Sequence, residues 1–304
     1  MAFFLINCSY GQNQKEEANA VNKYTNQIEL RHDNDFLHST DRFYSAGNFI
    51  AYRTLTSSEN DTLFTRQNTF YLGQEIYTPT DLDETDFTKF DRPYAGFLGF
   101  YVQHTIANYK WLFDLKYSVG VTGTISGAQG LQNSFHESAT EDSRIPTWNA
   151  QIKNGVTFNF YFNYVREWEL SSNPFKIYFA LSPSTAFGTK DIYIQNDIAF
   201  YFGKRNPLHR SIAYSQLGEV KKEFFFALRA AHRYVFQDAL LEGNLIKDSS
   251  LLLVEPNRNL FIYNVEMYYR SGRNDFKLFY NFNSAETKKA EFHMFATLSI
   301  ARSF

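Results

Sequence analysis

The sequence predicts an all-β fold, a transmembrane antiparallel β-barrel of about twelve strands with a short helix in one long loop. Composition is the first reason. The 304 residues include 32 Phe and 21 Tyr, yet mean hydropathy is −0.40. A barrel in lipid combines these two properties, because its outward residues are apolar and its inward ones polar. Periodicity is the second reason. Phe158, Phe160, Phe162 and Tyr164 share one face of an extended segment, while Thr157, Asn159, Tyr161 and Asn163 share the other. The same alternation sets Phe276, Leu278, Tyr280 and Phe282 against Lys277, Asn281 and Asn283. A period of two with one oily face is the sheet signal. Strand length is the third reason. These segments run ~10 residues or more, longer than the strands of a soluble sandwich.

No apolar run approaches the ~20 residues of a membrane helix. A net charge of −2 without a basic block argues against a nucleic-acid partner. At the N-terminus, Phe3 to Ile6 resemble a clipped apolar export signal, and Ser9-Tyr10-Gly11 is a small-x-small cleavage site before Gln12. Residues 1–11 are therefore expected to be a signal remnant and 12–23 a polar tail, with 24–304 forming one barrel domain. Cys8, the single cysteine, leaves with the signal, so the fold cannot depend on disulfides.

Twelve segments carry strand periodicity: 24–36, 42–55, 67–77, 94–107, 109–123, 155–170, 174–186, 191–203, 223–238, 258–270, 273–284 and 289–304. The chain ends on Phe304 after alternating apolar residues, an ending that resembles the assembly signal of bacterial outer-membrane barrels. With the N-terminus in the periplasm, most long connections fall on the outer side and tight turns on the inner. Residues 204–222 break that rule, being either a periplasmic insertion or a slip in the strand count. His104, His232 and His293 lie within strands and are expected at polar lumen positions. Trp111 and Trp168 are expected in interfacial girdles.

Three chemically dense stretches fall on the outer side. One joins Asp33-Asn34-Asp35-Phe36 to Thr40–Gly47, and another is Asp91-Arg92-Pro93-Tyr94-Ala95-Gly96. The third lies in 124–154, the longest interruption. There Ser126 and Gln129 have the spacing of a capping box, which predicts a helix over 126–138. Gln132 and His136, four apart, then project from one face. Carboxylates, amide carbonyls and a hydroxyl at one rim suit a hard cation such as calcium, and a histidine could deprotonate water. A solvated loop helix and turn-capping Asp and Asn residues account for the same pattern.

The runs DNDFLHSTDRFYSAG, GQEIYTPTDL, DRPYAGF, GLQNSFH and PTWNAQIKN, in that order, resemble the lipid A 3′-O-deacylase family of outer-membrane barrels. The resemblance covers most of residues 26–154. Beyond residue 155 it is architectural. It implies a twelve-stranded, calcium-dependent ester hydrolase that removes an acyl chain from lipid A of lipopolysaccharide in the outer leaflet. It further implies functional positions for Asn34, Asp35, Ser45, Gln132 and His136. Asp35, Asn34 and Ser45 would hold the metal. Ser45 stands where the family often has Thr. Glu141 and Asp142 compete for the acidic position after the histidine. A basic residue that some members carry has no clear match, since Glu84 falls near it and Lys89 further on. The expected chemistry is attack by water activated at His136. Ser45 as nucleophile is the alternative. A non-catalytic channel or scaffold and a phospholipid esterase are the other readings. The barrel is expected to act as a monomer.

Overall fold

The computed structural model describes residues 24–35, 42–57, 64–139, 145–171, 175–217, 222–246 and 248–304. These residues form twelve strands: β1 (Asn26–Asn34), β2 (Phe43–Leu55), β3 (Thr65–Thr78), β4 (Ala95–Ala107), β5 (Trp111–Thr122), β6 (Gly155–Ser171), β7 (Ile177–Gly188), β8 (Asp191–Lys204), β9 (Glu223–Asp238), β10 (Asn259–Ser271), β11 (Asn274–Asn283) and β12 (His293–Ser303). Each pairs antiparallel with its sequence neighbour, and β1 pairs with β12 from Gln27↔Ser303 to Asn34↔Ala296. The sheet is a closed barrel with no open edge, the form that satisfies every backbone group in lipid. Among the described residues no helix is long and apolar enough to cross a membrane.

Alternation assigns the two faces as the sequence predicts. Phe158, Phe160, Phe162, Phe276, Leu278, Leu298 and Ile300 are exposed on the outer wall. Asn159, Asn281, Thr297 and Ser299 are buried in the lumen. Charged pairs fill the interior. Glu29 meets Arg53 and Lys277, Lys190 bridges Glu75 and Asp191, and Arg229 holds Glu266. Two lone histidines depart from the expectation. His104 and His232 face outward and are exposed, while His293 is buried, its Nε2 3.1 Å from the carbonyl oxygen of Tyr44. The outward histidines are satisfied across the sheet. His104 Nδ1 lies 2.8 Å from Asn68 Oδ1, and His232 Nε2 lies 2.9 Å from Asn259 Oδ1.

The long connection between β8 and β9 is a true insertion. Residues 205–217 fold back into the lumen at the short-turn end, burying Leu208, Ile212 and Leu217. Arg205 Nη2 donates to both carboxylate oxygens of Glu167, at 2.7 and 2.6 Å. Glu223 accepts from Asn206 N, Ser211 Oγ and Ile212 N. Arg270 donates to the carbonyl oxygens of Arg210 and Gln216. The insertion is a plug, tied to the wall by the buried hydrogen bonds and ion pairs of Glu167, Glu223 and Arg270.

Candidate active site on the outer wall

The outer wall of the barrel, at the end of the long loops, carries the candidate site. Along β1 the outward row is Ile28, Leu30, His32 and Asn34, and the inward row contains Glu29 and Asp33. Asp33 is fully buried. It accepts from Arg31 Nε at 2.8 Å and from Tyr44 Oη at 2.8 Å, so its charge belongs to the lumen. Asn34 ends the strand on the outer row, opposite Ala46 and Ala296. Asp35, just past the strand end, is 1% exposed, and its Oδ2 accepts the backbone N–H of Arg42 at 2.9 Å. The end of the strand therefore releases Asp35 from the alternation that would oppose it to Asn34.

Ser45 is the extra residue of a β-bulge. Tyr44 pairs with Tyr77 and Ala46 with Ile76, leaving Ser45 unmatched and buried. Bulges re-aim side chains at barrel rims in this way.

The connection after β5 supplies the opposing surface. It turns through Gly123–Ser126, passes Gly127 at φ 73°, and enters helix α1 (Ala128–Ala139). The helix begins two residues later than the capping box predicts. Ser126 Oγ donates to the carbonyl of Gly123 at 2.6 Å and accepts from Ala128 N at 3.4 Å, while Gln129 Oε1 accepts from Gln151 at 3.0 Å. Gln129 thus joins α1 to the segment of the loop that returns to β6. Ala128, Gln132 and His136 are buried at 0%, 5% and 8% exposure, at i, i+4 and i+8. Leu131 and Phe135 are exposed on the other side. The helix turns its polar stripe to the barrel and its apolar side away, the reverse of a helix packed on a soluble core.

Close approach of α1 depends on Gly96. A Cβ there would stand 2.3 Å from Ser126 Oγ and 2.4 Å from Ala128 Cβ. Below the helix, Ile76, Phe90, Tyr94, Ala128 and Trp148 form one apolar cluster, with Ala46 packed against it. Trp148, in the left-handed region at φ 53°, stacks on Tyr94 at 5.2 Å. Its Nε1 donates to Gln132 Oε1 at 2.9 Å. A chain of contacts thus joins the predicted residues. Asn34 pairs with Ala46, Ala46 follows Ser45 and packs on the cluster, and Trp148 in that cluster holds Gln132. His136 is the next position on the same stripe. Sequence reasoning assigned no role to Trp148 or Tyr94, although both lie in quoted runs.

The second dense stretch is structural. Asp91 accepts from Thr80, Arg92 is buried against Glu286 at 2.6 Å and lies 4.4 Å over the ring of Tyr77, and Thr287 Oγ1 donates to the carbonyl of Asp91. These contacts tie the loop before β4 to the loop before β12. Glu84 and Lys89 pair with each other at 2.8 Å on an exposed turn. Glu141 and Asp142 lie outside the described residues.

Asn34, Asp35 and Ser45 offer oxygen donors only, the chemistry a hard cation takes. No group of three or more His, Cys, Asp or Glu is poised for a metal among the described residues. The donor set fits a calcium ion in kind, with carbonyls and water needed to complete a shell of six to eight oxygens.

A closed twelve-stranded antiparallel barrel with an apolar outer wall and a polar lumen defines an outer-membrane β-barrel. The family model described as outer membrane protein LpxR matches residues 1–304, and the chain belongs to this family. Its fold is similar to that of LpxR from Salmonella typhimurium, at 19% identity, with a TM-score of 0.77, 91% of this chain and 100% of that one covered. The β domain of the Bordetella autotransporter BrkA matches at 9% identity and a TM-score of 0.44, over 92% and 99% of the two chains. No curated protein matches the sequence.

Proposed function

We propose that the protein is an outer-membrane deacylase that hydrolyses an ester-linked acyl chain of lipid A, at the 3′-O position by family resemblance. The observation that carries this reading is the wall-facing stripe of α1. A histidine and an amide are buried on the outside of a membrane barrel, where a lipid ester could reach them and a soluble substrate would have less access. The long-loop end would face the outer leaflet. β1 and β12 close the wall within one chain, so the barrel is complete without a second copy.

In the reaction His136 takes a proton from water as the oxygen attacks the ester carbonyl. The tetrahedral intermediate collapses, the sugar oxygen leaves, and His136 returns the proton to it. The products are a fatty acid and a sugar hydroxyl. Gln132 is oriented by Trp148, whose N–H can only donate and so fixes the amide oxygen toward itself. The Gln132 NH2 is thereby turned away from the indole and can donate to the developing oxyanion. Glu141 or Asp142 would orient the imidazole. Asp35, with Asn34 and Ser45, would hold calcium, which when bound polarises the ester carbonyl as a Lewis acid. Ser45 as nucleophile ranks lower, because water accounts for the amide and acid neighbours without a covalent intermediate.

Mass spectrometry of lipid A from cells with and without the gene tests the reading. Loss of one ester-linked acyl chain only when the gene is present is the expected result. Unchanged lipid A with altered phospholipid would assign the esterase to phospholipid. Unchanged lipids of both kinds would favour a non-catalytic barrel.

A further inference from the structure

The outer wall beneath α1 is not smoothly convex. A cleft of about 530 Å³ runs across β12, β1, β2, β3 and β4 on the lipid-facing side. Its floor is apolar, with exposed Leu30, Ile50, Leu72 and Leu298. Besides Arg31, whose guanidinium pairs with Asp33, three polar residues line it: His32, Asn48 and Gln74. Each is on an outward row, where barrels in lipid are normally apolar.

This polar group adjoins the candidate site. His32 is two residues below Asn34 on β1, and Asn48 is two above Ala46 in sequence on β2, opposite His32 in register. Gln74 Nε2 donates to the carbonyl of Ser126, at the base of α1, at 2.8 Å. The cleft therefore runs from the lipid belt to the foot of the helix that carries Gln132 and His136.

The His32–Asn48 pair has a definite hydrogen-bonding character. His32 Nδ1 lies 2.9 Å from Asn48 Oδ1. An amide oxygen only accepts, so Nδ1 carries the proton. In the neutral ring Nε2 is then an acceptor, and the Asn48 amide nitrogen is a donor. Asn48 thus fixes the tautomer in which His32 Nε2 accepts, and a hydroxyl can donate to it. In lipid, where water does not supply partners, such a match is selective.

We propose that this cleft docks one acyl chain of the lipid substrate, with a hydroxyl near the head of that chain donating to His32 Nε2, whose tautomer Asn48 fixes. The substrate enters sideways from the leaflet, its chain lying on Leu30, Ile50 and Leu72 and its ester arriving under α1. The assignment rests on the deacylase reading for its substrate, and its test does not require turnover.

The full chain carrying His136→Ala is reconstituted in phosphatidylethanolamine vesicles containing lipid A with hydroxylated acyl chains. A photo-crosslinking amino acid replaces Leu72 in the cleft or, as control, the exposed Leu228 on β9. Mass spectrometry of the adducts is expected to show lipid A enriched over phospholipid at position 72 relative to 228. Replacing His32 and Asn48 together by Leu is expected to cut that enrichment about fivefold, the scale of one hydrogen bond. The double substitution removes both partners, so neither is stranded in lipid. Equal adduct ratios at 72 and 228, or enrichment unchanged by the double substitution, would overturn the proposal. Enrichment at 72 in a protein whose wild type leaves lipid A intact would support the cleft and sink the deacylase reading instead.

Discussion

The Trp148 indole donates to the Oε1 of Gln132 at 2.9 Å while its ring stacks on Tyr94. The contact has two separable parts, one apolar and one polar. Trp148→Phe keeps a stacked ring and removes the indole N–H that holds the amide oxygen. Gln132 can then rotate, and kcat should fall on the order of tenfold to a hundredfold with little change in KM, the size of a misplaced catalytic group. Steady-state kinetics on lipid A in detergent would read this. An unchanged kcat would mean that the indole does not orient the amide.

His136→Ala should cost about 10²–10⁴ in rate, the range for a general base. The barrel should still assemble, because His136 lies on a loop helix outside the strand ladder. Heat-modifiable migration on gels would report assembly. Ser45→Ala separates the two nucleophiles. With water as nucleophile it retains measurable turnover, and no acyl adduct forms on the wild type. An intact-mass shift of one acyl group on quenched wild-type enzyme would instead establish Ser45.

Calcium removal is the third test. A chelator should abolish deacylation reversibly, and Asp35→Asn should raise the calcium concentration required, since one carboxylate is lost from an oxygen shell. Activity indifferent to chelator would remove the metal from the mechanism.

The wall was legible in the sequence because period two survives wherever lipid lies on one side and polar lumen on the other. All twelve strands fall within a few residues of the periodic segments. His104 and His232 misled because their polarity outweighed their parity, which sets them in row with Phe100 and Val102 on β4 and with Phe226 and Leu228 on β9. Each bonds an Asn on the adjacent strand, and that cross-strand register is invisible in a single sequence. Asn34, Ser45, Gln132 and His136 stood out as chemistry, but their placement on the outer wall did not. It depends on Ser45 being the bulge residue and on α1 settling against Gly96, both tertiary facts. The Trp148 clamp was hidden for a related reason. A left-handed tryptophan 16 positions after Gln132 meets it only once the loop has closed.

Gly96 makes that closure possible, and substituting it should separate helix docking from barrel stability. Gly96→Val places atoms where Ser126 Oγ and Ala128 Cβ now sit. Valine suits a strand, so β4 should persist while α1 is lifted. Activity should fall by on the order of a hundredfold, as for other displaced catalytic groups. Protease cleavage within 123–154 should accelerate, with the thermal midpoint of the barrel little changed. Full activity in Gly96→Val would mean that the helix need not contact the wall.

The plug provides the last test, and it bears on whether the barrel conducts. Arg270 pairs with Asp275 at 2.7 Å and with Glu223 at 3.1 Å, and it donates to the carbonyls of Arg210 and Gln216. All three charged side chains are nearly inaccessible. Arg270→Ala strands two buried carboxylates, which costs about 3–5 kcal/mol when one partner of a buried pair is removed. It also frees two plug carbonyls. Wild type in a planar bilayer should be closed, because residues 205–217 fill the short-turn end of the lumen. Arg270→Ala should show a lower unfolding midpoint and discrete conductance steps. Neutralising the carboxylates as well, with Glu223→Gln and Asp275→Asn in the same chain, should recover part of the stability without reseating the plug. Steady conductance in the wild type would contradict the seal and revive the channel reading.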